Sequence, residues 1–134
     1  MREIEFRGKS IKTGEWVYGS LTLKTSSPRI AFYNKVGYWI EVEVVPESIG
    51  QYTGLKDKNS KKVYDGSIIE GHTFDERFNE KQIGEIAYNE DRHGFVFIPI
   101  RMKSKNLYYP LFAVITCEVI GNIYDNPELL EVSE

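Results

Sequence analysis

The sequence is poor in the residues from which most chemical sites are built. Its single cysteine, Cys117, excludes an intrachain disulfide and a thiolate metal cluster. The two histidines, His72 and His93, lie far apart, and neither they nor Asp75 and Glu76 show a recognised metal-ligand spacing. We therefore predict no catalytic residue, no metal and no cofactor. A role without catalysis is favoured, and an enzymatic role stays open.

Long apolar runs and an excess of positive charge are missing as well. No segment approaches the roughly 20 apolar residues that a membrane-spanning helix needs. The start of the chain also lacks the apolar core of a signal peptide. We expect a cytoplasmic protein that does not enter a membrane. The formal net charge of -3 disfavours tight, non-specific binding of nucleic acid, which requires an excess of Lys and Arg.

Apolar and polar residues alternate along most of the sequence. Alternation with a period of two residues is typical of half-buried β-strands. About seven or eight such segments, separated by regular turns, predict a mainly β fold: a small barrel or sandwich of short antiparallel strands. The side chains expected to point inward include Ile4, Phe6, Val17, Leu21, Leu23, Tyr38, Ile40, Val42 and Val44.

Three segments depart from this period. Residues 71–82 are polar and predict either an excursion, with His72 in a loop, or one short helix, and residues 101–110 are expected to be irregular. Near the end, Asn126 can cap a short helical turn that starts at Pro127. A turn this short is not stable alone, so its leucines are expected to dock on the body of the protein.

The stretch 51–66 has the composition of a corner between strands. Asp57, Asn59 and Ser60 are turn formers whose short side chains bond to nearby backbone groups. The glycine spacing matches neither phosphate-binding loop, and no helix follows to offer its N-terminal amides. We predict a turn with a structural role.

Two glycines flank this turn. Gly54 and Gly66 are expected at positions that a Cβ atom would crowd. Tyr64, between the turn and the second glycine, is expected to face inward.

Motifs in the middle and at both ends of the chain resemble the YopX family of phage and prophage proteins. They are the start "REIEFRGKS", the stretch 51–66 and the close "EVIGNIYDNPELL". The resemblance implies one domain over residues 1–134, with a subdivision near 46–50 as an open alternative, and a fold that is partly SH3-like. It implies no established activity. The structural residues that carry it are Gln51, Tyr52, Thr53, Gly54, Leu55, Asp57, Tyr64, Gly66, Gly121 and Asn122.

At one position the sequence departs from the family pattern. Where members usually continue with an acid after the second glycine of the stretch, this chain has Ser67. A serine would weaken a binding role of that acid, whereas it can replace an acid that only caps a corner.

Aromatic residues give the first functional hypothesis. If the alternation holds, Trp16, Tyr18 and Trp39 lie on the outer faces of their strands. Exposed aromatic rings mark interfaces, although a second layer could equally make them core. We predict an interaction or self-assembling module that forms a homo-oligomer or binds another, unidentified protein.

The alternative is a nucleic-acid-binding β-barrel in phage regulation or replication. Small barrels bind single strands by stacking bases on aromatic rings inside a basic groove. The negative net charge of the chain disfavours this alternative. The candidate groove residues are Tyr88, Arg92, Phe95, Arg101, Lys103 and Tyr108.

Overall fold

The computed structural model describes residues 3–23, 27–77 and 80–131. The chain divides into two compact units, Met1–Gly54 and Leu55–Glu134. This boundary falls inside a β-strand, a few residues beyond the segment 46–50. That the chain forms one domain stays a prediction.

The sheet of the first unit has the strand order β4-β3-β2-β1-β5, and its neighbouring strands pair in antiparallel fashion. A single turn of 3-10 helix, Pro46–Ser48, precedes the last strand, which continues beyond the unit boundary. The strands are β1 (Phe6–Lys9), β2 (Trp16–Thr22), β3 (Arg29–Tyr33), β4 (Trp39–Glu43) and β5 (Gly50–Lys56).

The β3–β4 hairpin is closed by the side chain of Asn34. Its Oδ1 accepts the backbone N–H of Val36 at 3.1 Å and of Tyr38 at 2.9 Å. Gly37 takes a φ of 90° in this turn, a conformation that glycine adopts without steric cost. The turn fixes the register, so that Tyr33 lies opposite Trp39.

The core of the first unit is centred on Ile30 and Val44, neither of which is exposed. Gly8 lies against Val44 so closely that a Cβ atom at Gly8 would lie 2.9 Å from the valine side chain. An isolated bridge pairs Ser10, just after β1, with Val44, just after β4. Close packing here requires the smallest residue in β1.

Three of the inward-pointing predictions are wrong. Ile4, Leu23 and Tyr38 are 65%, 69% and 69% exposed. Each lies just outside a strand, and the described residues leave most of its side chain uncovered. The alternation continues in the sequence after the sheet has ended.

The second unit is built on a five-stranded antiparallel sheet with the order β10-β9-β8-β7-β11. Its core joins Val63, Ile69, Ile86, Phe97 and Cys117 with Val114. The elements are β6 (Lys62–Tyr64), β7 (Ser67–Thr73), β8 (Gln82–Asn89), β9 (Gly94–Pro99), α1 (Ile100–Lys103), β10 (Tyr109–Pro110), β11 (Val114–Asn122), and 3-10 turns at Leu111–Ala113 and Pro127–Leu130.

The mainly β prediction, with short antiparallel strands and a short C-terminal turn, is confirmed. Neither sheet closes into a barrel over the ranges that the structure describes. The prediction of a loop at His72 is wrong, because this residue lies within β7, opposite Thr116. Part of the polar segment 71–82, residues 78 and 79, lies outside the described residues.

The C-terminal turn begins at Pro127, as predicted, but the Asn126 side chain does not cap it. Its Oδ1 instead accepts the backbone N–H of Asn122 at 3.2 Å. A Cβ atom on Gly121 would lie 2.6 Å from that same oxygen and 3.0 Å from a methyl group of Leu129. Gly121 therefore lets the C-terminal turn pack against β11.

The stretch 51–66 forms the predicted corner, and Asp57 organises it. Its Oδ1 accepts the backbone N–H of Asn59 at 2.8 Å and of Lys61 at 2.9 Å. Its Oδ2 accepts the N–H of Val119, in β11, at 2.9 Å. The backbone N–H of Lys58 also donates to the carbonyl of Cys117 at 2.9 Å. The turn is thus tied to the edge of the second unit's sheet.

Burial on its own raises the pKa of Asp57, whose side chain is enclosed in the turn. The three N–H donors, of which Val119 is the strongest, outweigh this and hold the pKa below its usual value. The carboxylate therefore stays ionised and stabilises the folded state at neutral pH.

The two glycines act through backbone conformation rather than through crowding. Gly54 and Gly66 have φ values of 92° and 93°, in the region that L side chains avoid. Apart from the adjoining residues, no atom in the described part of the chain lies within 4 Å of a Cβ placed on Gly54, so the crowding prediction for this position is wrong. Tyr64 is buried, as predicted.

Ser67 closes the corner at its second end. Its hydroxyl accepts the backbone N–H of Tyr64 at 2.9 Å, and the residue has no exposed surface. This geometry is that of a cap on a bend.

We predict that Asp57→Asn lowers the free energy of unfolding by about 1–3 kcal/mol at neutral pH, because the new amide presents N–H groups to the N–H of Val119. The pKa of Asp57 is lowered by folding. Its stabilisation is therefore present above the unfolded value of about 3.9 and is lost as pH falls through the folded pKa.

Urea unfolding measured between about pH 7 and about pH 2 checks this, since the gap between wild type and variant should close in acid. Asp91→Asn, at an exposed position, is the control. A gap of constant size across this range would contradict the role given to Asp57.

Candidate interaction surfaces

Three exposed aromatic side chains lie on one face of the first unit's sheet. Tyr33 is opposite Trp39, and Ser20 of β2 is opposite Ala31 of β3. Because side chains two residues apart share a face, Tyr18 lies on the same side as both. These rings are 45%, 70% and 49% exposed for Tyr18, Tyr33 and Trp39. We call these three residues the aromatic surface.

The rings of Tyr33 and Trp39 form an edge-to-face pair, with centroids 4.9 Å apart and planes at 63°. The indole Nε1 of Trp39 donates to Oε2 of Glu41 at 3.2 Å. The pair is held in place by its own contacts, so the aromatic surface is ordered while much of each ring remains exposed. Such rings lose little rotamer freedom when a partner covers them.

Trp16 has a different environment from the other two predicted residues. It is half-buried, with the Arg7 guanidinium 4.7 Å and the Lys9 ammonium 5.7 Å from its ring centroid. Tyr33 was missed at the sequence level. The turn at Asn34 could have indicated it, because that hairpin sets Tyr33 opposite Trp39.

The first unit also has an open cavity of about 530 Å³ beside the end of β4. The cavity combines three glutamates, two cationic side chains and an apolar patch. We call it the β4 groove. It is lined by Ser10, Ile11, Lys12, Thr13, Glu15, Val17, Arg29, Glu41, Val42 and Glu43.

In the second unit, four of the predicted groove residues form two pairs. Tyr88 and Phe95 are edge-to-face neighbours with centroids 5.5 Å apart. The guanidinium of Arg92 lies 5.7 Å from the ring centroid of Tyr108, and its Nε donates to the tyrosine hydroxyl at 3.2 Å.

The other two predicted groove residues, Arg101 and Lys103, lie on α1 and make internal contacts. Lys103 pairs with Glu85 at 2.9 Å. Arg101 donates to Oε1 of Gln82 at 2.9 Å and to the hydroxyl of Tyr109 at 3.0 Å. The positive charges of Arg101 and Lys103 are therefore partly engaged in contacts within the second unit.

Asp75 and Tyr109 extend this polar network. The Arg77 guanidinium, followed by the Tyr109 hydroxyl, holds the pKa of Asp75 well below its usual range. Arg77 binds both carboxylate oxygens at 2.9 Å, and Tyr109 donates to Oδ2 at 2.6 Å. The network fixes the turn after β7. The carboxylate of Asp75 and the guanidinium of Arg77 are paired with each other.

Cys117 is buried in the middle of β11. Burial, followed by the nearby Asp57 carboxylate, raises the pKa of its thiol. A raised pKa opposes thiolate formation, so the side chain is suited to packing and unsuited to nucleophilic chemistry.

The described ranges also bear on metal sites and membrane-spanning helices. Within them, no three His, Cys, Asp or Glu side chains are grouped so that they could hold a metal ion. No helix in those ranges has the length and apolarity to cross a membrane.

We predict that a thiol reagent modifies Cys117 in the folded protein roughly tenfold or more slowly than in urea, because the thiol is both buried and protonated. Absorbance from an aromatic disulfide reagent at mildly alkaline pH reports the rate. In a Cys117→Ser/Ser104→Cys variant, the exposed thiol should react rapidly in the fold. Rapid native reaction of Cys117 would contradict its assignment as a packing residue.

Comparison with known proteins gives a family and a fold. No curated protein matches the chain. Among solved structures, the crystal structure of protein EF1440 from Enterococcus faecalis is similar, with a TM-score of 0.53 and 24% sequence identity. The alignment covers 98% of this chain and 100% of that one. The family model described as YopX protein matches residues 5–131. The chain therefore belongs to the YopX family.

Proposed function

We propose that the protein is a non-catalytic interaction module that associates with a second copy of itself through the aromatic surface. The proposal includes a phage or prophage origin and action in the bacterial cytoplasm. The observation that carries it is the ordered pair of exposed rings formed by Tyr33 and Trp39.

Large rings at an exposed position contribute strongly to protein binding when a partner excludes water from them. Trp39 and Tyr33 present apolar ring surface, and Tyr18 extends it to the next strand. The indole N–H already has its acceptor in Glu41. Covering this surface therefore leaves no indole donor unsatisfied, which keeps the cost of burial low.

The charges around the aromatic surface suit pairing between identical copies. On its β1 side, Arg7 lies opposite Tyr18 and Lys9 lies opposite Trp16. On its β4 side lies the carboxylate of Glu41. A second copy packed face to face, about a two-fold axis that lies between the two sheets and runs along the strands, would bring Glu41 towards the basic side of the first. Most soluble oligomers are symmetric in this way.

The second unit supports the non-catalytic part of the proposal. Its perturbed acids are engaged in structural contacts: Asp57 with backbone amides, and Asp75 with Arg77 and Tyr109. The pKa of its thiol, Cys117, is raised, opposite to the shift that activates a nucleophile.

Sedimentation velocity over protein concentrations from low micromolar to near-millimolar tests the proposal. We expect a concentration-dependent dimer. The double variant Tyr33→Ser/Trp39→Ser should raise the dissociation constant by roughly tenfold or more, because it removes both exposed rings.

The matched control is Phe74→Ser/Phe112→Ser, which removes two rings of the second unit that are 64% and 79% exposed. It should leave the dimer unchanged. A wild-type protein that stays monomeric at every concentration, or equal loss in both double variants, would overturn the proposal.

A second candidate function, binding of single-stranded nucleic acid, draws on the Arg92–Tyr108 and Tyr88–Phe95 pairs. A cation beside aromatic rings suits stacking of bases next to a phosphate. We expect this binding to be weak and to require low salt, because the net charge is -3.

Fluorescence anisotropy with an oligothymidylate of about 15 nucleotides measures it. Arg92→Ala should weaken binding severalfold, and Lys35→Ala, at an exposed site of the first unit, should change it little. Absence of binding at low salt would remove this candidate.

A further inference from the structure

We propose that the β4 groove binds an extended peptide segment that carries arginine or lysine and belongs to a partner protein. This goes beyond self-association, which uses the exposed rings on the face of the sheet. The groove lies instead between the edge of the sheet and the turn 10–15.

The walls of the β4 groove are held by backbone hydrogen bonds. In the turn, the N–H of Ser10 donates to the carbonyl of Glu15 at 2.8 Å, and that of Gly14 donates to Ser10 at 2.9 Å. The N–H of Ile11 then donates to the carbonyl of Glu43 at 3.1 Å, which joins the turn to the end of β4. The cavity of about 530 Å³ is within the usual range for binding sites and is formed before any ligand arrives.

The edge of β4 can accept a further strand. β4 is the outermost strand in the sheet order. The carbonyl of Glu43 faces away from β3, since it accepts the N–H of Ile11. Backbone groups alternate along a strand, so those of Glu41 face the same way. An extended peptide that pairs with Glu41 would run directly into the groove.

The charges of the groove favour a cationic side chain in that peptide. Three glutamates, Glu15, Glu41 and Glu43, share the lining with two cations, Lys12 and Arg29. Within the part of the chain that the structure describes, no ion pair joins any of these five residues. An arginine or lysine from outside would find carboxylates with free acceptor capacity.

The apolar part of the lining completes the match. Ile11, Val17 and Val42 contribute to the groove next to the charged groups. In an extended peptide, alternate side chains point in opposite directions, so apolar and basic residues can alternate along it. We therefore assign the groove to a segment in which arginine or lysine alternates with an aliphatic residue.

Fluorescence anisotropy with a labelled eight-residue peptide of alternating arginine and valine tests this inference. Matched probes carry citrulline or glutamate in place of arginine. We expect the arginine peptide to bind at least roughly tenfold more tightly than the citrulline peptide, because only a charged group engages the carboxylates. The glutamate peptide should not bind.

A groove variant and a matched control test the role of the carboxylates. Glu15→Gln/Glu43→Gln should remove most of the preference for arginine over citrulline. The control Glu90→Gln/Glu128→Gln makes the same change in net charge in the second unit and should preserve it.

Equal binding of all three peptides, or equal effects of the two glutamine double variants, would overturn the inference. So would amide shifts, mapped by NMR, that fall outside residues 10–17 and 39–43. Sedimentation of the same samples distinguishes the two proposals. A dimer that does not bind the peptide would contradict only the peptide-binding inference. A monomer that binds the peptide would contradict only the proposal of self-association.

Discussion

The second unit depends on the contacts of one buried carboxylate. Asp57 accepts three backbone N–H groups, two within its own turn and one from Val119, far along the chain. The two local bonds shape the turn, and the third fixes where that turn meets β11. A neutral acceptor would make weaker bonds with the same donors, because charge-assisted hydrogen bonds are about twice as strong. The turn 57–61 is thereby attached to an edge of the second unit's sheet.

Much of this architecture could be predicted from the period of the sequence, because alternation reports which residues suit a half-buried strand. The hairpin turn at Asn34 and the corner around Asp57 also follow from local chemistry. Strand ends do not. Ile4 and Leu23 fit the alternating pattern, yet both lie where the sheet has already stopped. Only the pairing of strands decides that, and pairing joins residues that are distant in sequence.

The candidate sites were harder to predict from the sequence, again because they depend on the pairing of residues that are distant in sequence. Tyr18 and Trp39 are exposed, as their positions in the alternating pattern suggested. Trp16, in contrast, is covered by the guanidinium of Arg7, a residue of the neighbouring strand β1. The β4 groove could not be read from the sequence at all. Its glutamates come from the turn 10–15 and from β4, and the isolated bridge after β1 brings those segments together.

The hydroxyl of Ser67 has a consequence for how the corner responds to protons. An acid, which the family pattern implies at this position, would be a carboxylate without solvent, and its acceptor role would depend on its ionisation. Ser67 accepts the N–H of Tyr64 in an uncharged form. Acidification is therefore expected to loosen the turn at Asp57, whereas the cap that Ser67 places on the next bend has no charge to lose. The capping groups of these two neighbouring turns thus differ in whether protonation can remove them.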